Sequence, residues 1–270
     1  MSNVITRRAT GLLLAASLAA ACATRHSSPQ ITSNPSSGKS TTMNTRILIA
    51  MTSHDKKGST GQATGAYLPE IAHPYAVFTK AGYEVEFASP KGGKIRLDGV
   101  DLTDPVNAAF MEDKNTVERL NASIASKDVV PTRYQAIFFA GGHGAMWDLP
   151  EDEPFKAATA RIYEGGGIVA AVCHGPAALV DVKLSNGAYL VANKDVSAFT
   201  NDEERTVKLD AVVPFLLEDK LVAHGAHHQP APNWQKKVVV SERLITGQNP
   251  ASATGVAEAI VAKLTERAAR

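Results

Sequence analysis

Cysteine is scarce in this chain: two among 270 residues, which excludes a disulfide scaffold and any cysteine-rich metal cluster. Aromatic residues reach only 6%, so the core must be built mainly from aliphatic side chains. Neither sign of charge dominates. Lys+Arg number 28 and Asp+Glu 27, and the net charge of +1 lacks the basic excess of a nucleic-acid or acidic-surface binder. No apolar run near the amino terminus spans a bilayer: the stretch from Gly11 to Ala21 falls short of the roughly 20 residues required. What is present has globular proportions, with 44% apolar and 20% charged residues and enough length for one large α/β domain or two small ones.

Arg7 and Arg8, the apolar run from Gly11 and the small residues around Ala21 follow the order of a secretory signal, so residues 1–23 are expected to direct export. Leu18-Ala19-Ala20-Ala21-Cys22 resembles a lipoprotein cleavage box that would lipidate Cys22. Ala21-Cys22-Ala23 equally suits ordinary signal peptidase, and the arginine pair permits a twin-arginine route. The protein is then periplasmic or lipid-anchored at the membrane; a start at Met43 would leave it cytoplasmic. Residues 24–42, mostly Ser, Thr, Pro, Asn and Gly, cannot bury enough surface to offset their ordering entropy and are expected to form a flexible tether. One domain is expected over 43–270.

Within that domain, Arg46–Met51, Gln135–Ala140 and Gly167–Val172 are short apolar runs of the kind buried on both faces of a sheet, and Tyr83–Ala88 alternates like a strand. A Gly/Ser/Thr-rich loop covers Thr52 to Gly65. A helix should end near Ala81, before Gly82, with Pro74 marking a kink or a restart. Phe155–Glu164 reads as a second helix. Asn249-Pro250 should cap a last one, with Val256, Ile260 and Leu264 on one face. Alternating strands and helices imply a mostly parallel sheet with helices on both faces and ligands beyond the carboxyl ends of the strands.

The chemistry concentrates at those ends. In Ala171-Val172-Cys173-His174-Gly175-Pro176 an apolar strand ends at a cysteine, Gly175 permits a tight turn, and Pro176 suits a first helical turn. The turn resembles the nucleophile elbow of serine hydrolases, with Cys173 in place of serine and Ala171 in place of the first glycine. A sulfur at a helix N-terminus is expected to be exposed and its pKa lowered. Gly141-Gly142-His143-Gly144 follows another strand, so the N–H of Gly142 can join that of His174 as an oxyanion hole. His143 is a candidate substrate contact. Glu70 lies among apolar neighbours, where burial would let it hold a proton near neutral pH. Glu203 or Glu204 could orient His174. His224, His227 and His228 lack a nearby carboxylate or cysteine in sequence, so no metal site is expected there, and Trp234 is read as loop packing.

Read together, Met51-Thr52-Ser53, Leu68-Pro69-Glu70, His73-Pro74, Gly82–Val85, Ala88-Ser89-Pro90, Gly141–Gly144, Ala171–Pro176, Phe199-Thr200-Asn201 and Thr246–Pro250 resemble the PfpI / Parkinson-disease-protein-seven superfamily, within its glutathione-independent glyoxalase (glyoxalase III) and heat-shock chaperone branch. The resemblance runs from about Ile47 to Ala262. It implies a class I glutamine amidotransferase-like, flavodoxin-like three-layer sandwich. It makes Cys173 the nucleophile, Glu70 the acid/base beside it, His174 the following residue, and Glu204 rather than Glu203 the more distant carboxylate. The function it implies is conversion of methylglyoxal or a related 2-oxoaldehyde to D-lactate without a cofactor, in a homodimer. A holding chaperone for unfolded clients, a cysteine peptidase or amidase, and a protein deglycase are the alternatives. A glutaminase subunit is disfavoured because no downstream His-x-Glu is present among His224, His227 and His228. The signal-like amino terminus and the histidine-rich stretch 224–228 depart from the family pattern.

Overall fold

The apolar runs become neighbouring strands of one sheet. The computed structural model describes residues 46–269; the export signal over 1–23, Cys22, the tether over 24–42 and the start at Met43 lie outside the described residues. The strands are β1 (Arg46–Ala50), β2 (Glu84–Ser89), β3 (Ile124–Ala125), β4 (Ala136–Phe139), β5 (Ile168–Val172), β6 (Val238–Ser241) and β7 (Leu244–Gly247). Their order is β6-β7-β5-β4-β1-β2-β3, and all neighbours are parallel except the β6–β7 hairpin at one edge.

The helices are α1 (Pro69–Lys80), α2 (Pro105–Glu112), α3 (Lys114–Asn121), α4 (Ala145–Asp148), α5 (Glu153–Glu164), α6 (Asn201–Thr206), α7 (Leu217–Ala223) and α8 (Ala253–Ala268). Because side chains alternate across a strand, β1 sends Ile47 and Ile49 to one face and Leu48 and Ala50 to the other. The first pair packs with Phe78 of α1, Phe110 of α2, Leu120 of α3 and Ile260 of α8. The second packs with Phe155 and Ile162 of α5 and Leu221 of α7. Phe78 meets Phe138 edge-on at 6.1 Å, and Phe139 meets Phe155 at 5.6 Å, one pair on each face. Each such fully buried ring contributes roughly 1.5–3 kcal/mol of transfer free energy. The result is a flavodoxin-like three-layer α/β sandwich.

Two boundaries differ from the sequence reading. Helix α1 does not restart at Pro74: it opens at Pro69, whose missing N–H costs nothing in a first turn, and runs through Pro74 to Lys80. Asn249 does not cap α8. A 3-10 turn over Pro250–Ser252 intervenes, and the Asn249 amide donates instead to Glu203 Oε1 at 2.8 Å and to the carbonyl of Gln235 at 2.9 Å. The Asn249 amide thus ties this turn to α6 and to Gln235, and its Oδ1 accepts from the Ser252 hydroxyl at 3.3 Å rather than from a backbone N–H of α8.

Candidate active site

The strands β1, β4 and β5 end side by side, and the residue after β5 is Cys173. Its φ is +60°, in the left-handed region that non-glycine residues rarely occupy. The strain therefore falls on the cysteine itself and not on Gly175, whose missing Cβ serves packing: a Cβ there would stand 2.3 Å from the carbonyl oxygen of Phe139. The neighbours hold the conformation. Cys173 N–H donates to Gly247 O at 2.9 Å, and Cys173 C=O accepts from Phe199 N–H at 3.0 Å. The chain then enters a five-residue 3-10 helix, Gly175–Leu179.

Glu70, in the first turn of α1, is fully buried, and its Oε2 accepts the Gly141 N–H at 2.7 Å. Oε1 has no hydrogen-bond partner of its own, and the Cys173 thiol lies close enough to couple to the carboxyl. Burial raises the Glu70 pKa to about 8, against the lowering effect of the Gly141 and Cys173 hydrogen bonds, so the carboxyl is protonated at neutral pH. Gly141 must be glycine, since a Cβ there would sit 2.7 Å from Glu70 Oε2.

The expectation of an exposed, acidified thiol is corrected here. Cys173 is only 4% exposed, and burial followed by the adjacent Glu70 carboxyl pushes its pKa well above the ordinary thiol value. The N–H groups of Gly142 and His174 reach the sulfur and pull the other way, but the desolvation of a buried anion outweighs them. Those two N–H groups are the expected oxyanion donors. At rest they point at Sγ, and an oxygen bonded to a carbon on that sulfur would come within their reach.

His174 is almost fully buried. Its Nε2 lies 2.7 Å from Glu204 Oε2, and its Nδ1 lies 3.4 Å from Cys173 Sγ. Burial, reinforced by the nearby His143, lowers the His174 pKa to about 4, so the ring is neutral. Burial opposes ionisation of Glu204 as well, yet the hydrogen bonds from His143 and His174 outweigh it and bring that carboxyl to about 2. An ionised Glu204 accepts, so Nε2 of His174 carries the proton and Nδ1 turns a lone pair toward the thiol. His143 Nε2 sits 2.9 Å from Glu204 Oε1 and its ring stands 4.1 Å from that of His174, so it shares the carboxylate.

Glu203 hydrogen-bonds to groups other than the two histidines. It completes a capping box with Thr200 at the start of α6 and accepts from Trp234 N–H, the Gln248 amide and the Asn249 amide. The histidine-rich stretch does not converge on one point. His224 stacks on Tyr189 at 3.9 Å, His227 lies beside Asp195, and His228 accepts from Ala198 N–H at 3.2 Å. Among the described residues, the group of three potential metal ligands is His143, His174 and Glu204, with ligand atoms within 4.8 Å of one another. A cation there would replace the two imidazole–carboxylate hydrogen bonds.

Sequence reasoning missed two aromatic neighbours. Tyr67, three residues before Glu70, has a phenol whose pKa is raised by burial and then by Glu70 and Cys173. Phe199 lays its ring over His174 at a centroid distance of 4.3 Å. Spacing from Glu70 could have pointed to Tyr67, whereas nothing in the local sequence marks Phe199 as a neighbour of a residue 25 positions away.

A mostly parallel sheet with a left-handed cysteine after a central strand, and a protonated carboxyl against its sulfur, defines an α/β protein of the cysteine-elbow class. Residues 63–263 match the DJ-1/PfpI family, and the chain belongs to that family. It is 34% identical over 230 residues to the glutathione-independent glyoxalase HSP31 of Saccharomyces cerevisiae, covering 78% of this chain and 94% of that one. Glyoxalase 3 of Candida albicans is 32% identical over 232 residues, with 80% and 97% covered. Among solved structures, the Rapid Encystment Protein 24 KDa of Francisella tularensis superposes with a TM-score of 0.79 at 40% identity, over 81% of this chain and 98% of that one. Glyoxalase III of Candida albicans gives 0.75 at 28% identity, with 81% and 97% covered.

Proposed function

We propose that the protein is a glyoxalase III-type lyase that converts methylglyoxal, or a related 2-oxoaldehyde, to D-lactate without glutathione. The observation that carries this reading is the pairing of one sulfur with a carboxyl that holds its proton at neutral pH, beside a neutral imidazole whose lone pair faces the same sulfur. Relatives named glyoxalases over most of their length support it.

The reaction is an internal redox exchange followed by hydrolysis, and it balances without an outside oxidant. Cys173 Sγ bonds to the aldehyde carbon while its proton passes to His174 Nδ1. The aldehyde oxygen, held by the N–H groups of Gly142 and His174, takes the proton of Glu70 and gives a hemithioacetal. Glu70, now ionised, removes the hydrogen on that carbon as a proton, and imidazolium protonates the neighbouring carbonyl oxygen to give an enediol. Glu70 returns its proton to the second carbon as His174 takes the proton from the first hydroxyl, leaving a thioester. Water adds to the thioester carbon, the carbon–sulfur bond breaks, and His174 reprotonates the thiolate while Glu70 takes the proton from water. The net change is one water added.

Incubation of the protein with methylglyoxal, glutathione omitted, should give lactate of the D configuration. Cys173→Ala should give none, and Glu70→Gln should lose at least about 10²-fold in kcat, the scale of a missing general acid–base. Full activity in either variant would remove these roles. The order Cys173–His174–Glu204 also suits acyl transfer, which makes a hydrolase the second reading. Glu70 separates the two, because amide cleavage by that triad needs no proton shuttle between adjacent carbons. A Glu70→Gln variant that cleaves peptide amides as fast as wild type would favour the hydrolase.

A further inference from the structure

Trp234 occupies a place that the packing of the fold does not explain. Its φ is +64°, a region in which a bulky side chain is strained, and 46% of the residue's surface nevertheless stays exposed. The surrounding chain fixes it there. Its N–H donates to the buried Glu203 at 2.9 Å, Ala231 N–H donates to Gln248 Oε1 at 2.7 Å, and Gln235 C=O accepts from Asn249 at 2.9 Å. Glu203 lies next to Glu204 on α6, so the anchor of Trp234 and the carboxylate that orients His174 belong to one rigid turn.

The indole then joins a continuous row of rings. It stands 5.7 Å from Phe199, which stands 4.3 Å from His174 and 5.9 Å from His143. The row starts at the imidazole that faces Cys173 Sγ and ends in solvent. A strained, half-exposed aromatic residue held at the outer end of such a row keeps a flat apolar face in solvent one ring beyond His174, although glycine would meet the backbone requirement without strain.

We propose that Trp234 is a specificity-determining residue for the 2-oxoaldehyde: its face receives the substituent on the second carbon and favours flat, apolar groups over methyl. The assignment rests on the glyoxalase reading. It extends that reading from the reacting atoms to the part of the substrate that leads out of the site, where an aromatic wall discriminates by stacking and apolar contact.

The test compares kcat/KM for phenylglyoxal with kcat/KM for methylglyoxal in wild type, Trp234→Gly and Trp234→Phe. Glycine relieves the backbone strain and so offsets part of the packing lost with the indole, and W234G should remain folded. Its phenylglyoxal-to-methylglyoxal ratio should nevertheless fall about tenfold or more, with KM for phenylglyoxal carrying the change. W234F keeps a flat face and should retain most of the ratio. Should W234G fail to fold, Trp234→Leu supplies the same comparison. An unchanged ratio in a folded variant, or an equal fall of kcat for both aldehydes, overturns the assignment. Wild type inert toward both aldehydes overturns the glyoxalase reading and this assignment with it; an active wild type with an unmoved ratio overturns only the role of Trp234.

Discussion

At the scale of single residues, the site rests on burial used in opposite directions. Glu70, at about 8 in the folded chain against an ordinary 4.5, binds its proton more tightly when folded. Its stabilising contribution is complete below 4.5 and is lost as pH rises toward 8, by about 1.4 kcal/mol for each pH unit over which only the unfolded chain has released the proton. His174 works the other way. Held at about 4 against 6.5, it contributes stability above 6.5 that is lost as pH falls through that window. Glu70→Gln removes the first dependence and leaves the second. In urea melts across the span from 4.5 to 8, wild type should therefore lose stability relative to Glu70→Gln as pH rises. Parallel pH curves for the two proteins would show that the carboxyl is not held protonated. The lowered thiol pKa anticipated from the elbow fails for a related reason: a dipole and two N–H groups cannot offset the desolvation of a sulfur anion beside a carboxyl.

At the scale of elements, the loop after β4 is as important as the elbow. Gly142 has φ +96°, and a Cβ there would lie 2.3 Å from Gly65 O. Gly142→Ala should therefore shift the N–H that meets the substrate oxygen and lower kcat by about 10²-fold, as loss of one oxyanion donor does; far-UV circular dichroism should stay unchanged. A fully active Gly142→Ala would place the oxyanion elsewhere. Strands β1, β4 and β5 were legible because doubly buried strands read as unbroken apolar runs, and the motifs at their ends located Cys173 and Gly142. The two-residue β3 is too short to show a period. Helices α2 and α3 open at Asp104 and Asp113, whose side chains cap them, but each is only eight residues long, little more than two turns in which to show a period. Phe199 and Trp234 were illegible as site neighbours because only the tertiary fold brings Phe199 to His174 and Trp234 to Phe199.

At the scale of the whole molecule, the sheet brings residues from four distant segments to one place. Glu70 comes from α1, Gly142 from the loop after β4, Cys173 and His174 from the elbow, and Glu204 from α6. The two cores on either face fix the strand ends, so proton positions at the sulfur follow from packing that is remote from it. The central claim is that one carboxyl carries a proton between two carbons of an aldehyde bonded to Cys173. Turnover of methylglyoxal deuterated at the aldehyde carbon tests it most directly, with the rate and the label at C2 of the lactate followed together. The account predicts a normal primary isotope effect in wild type, part of the label recovered at C2, and lactate formation at least about 10²-fold slower in Glu70→Gln; lactate formed with no isotope effect, or formed at the wild-type rate by Glu70→Gln, would contradict it.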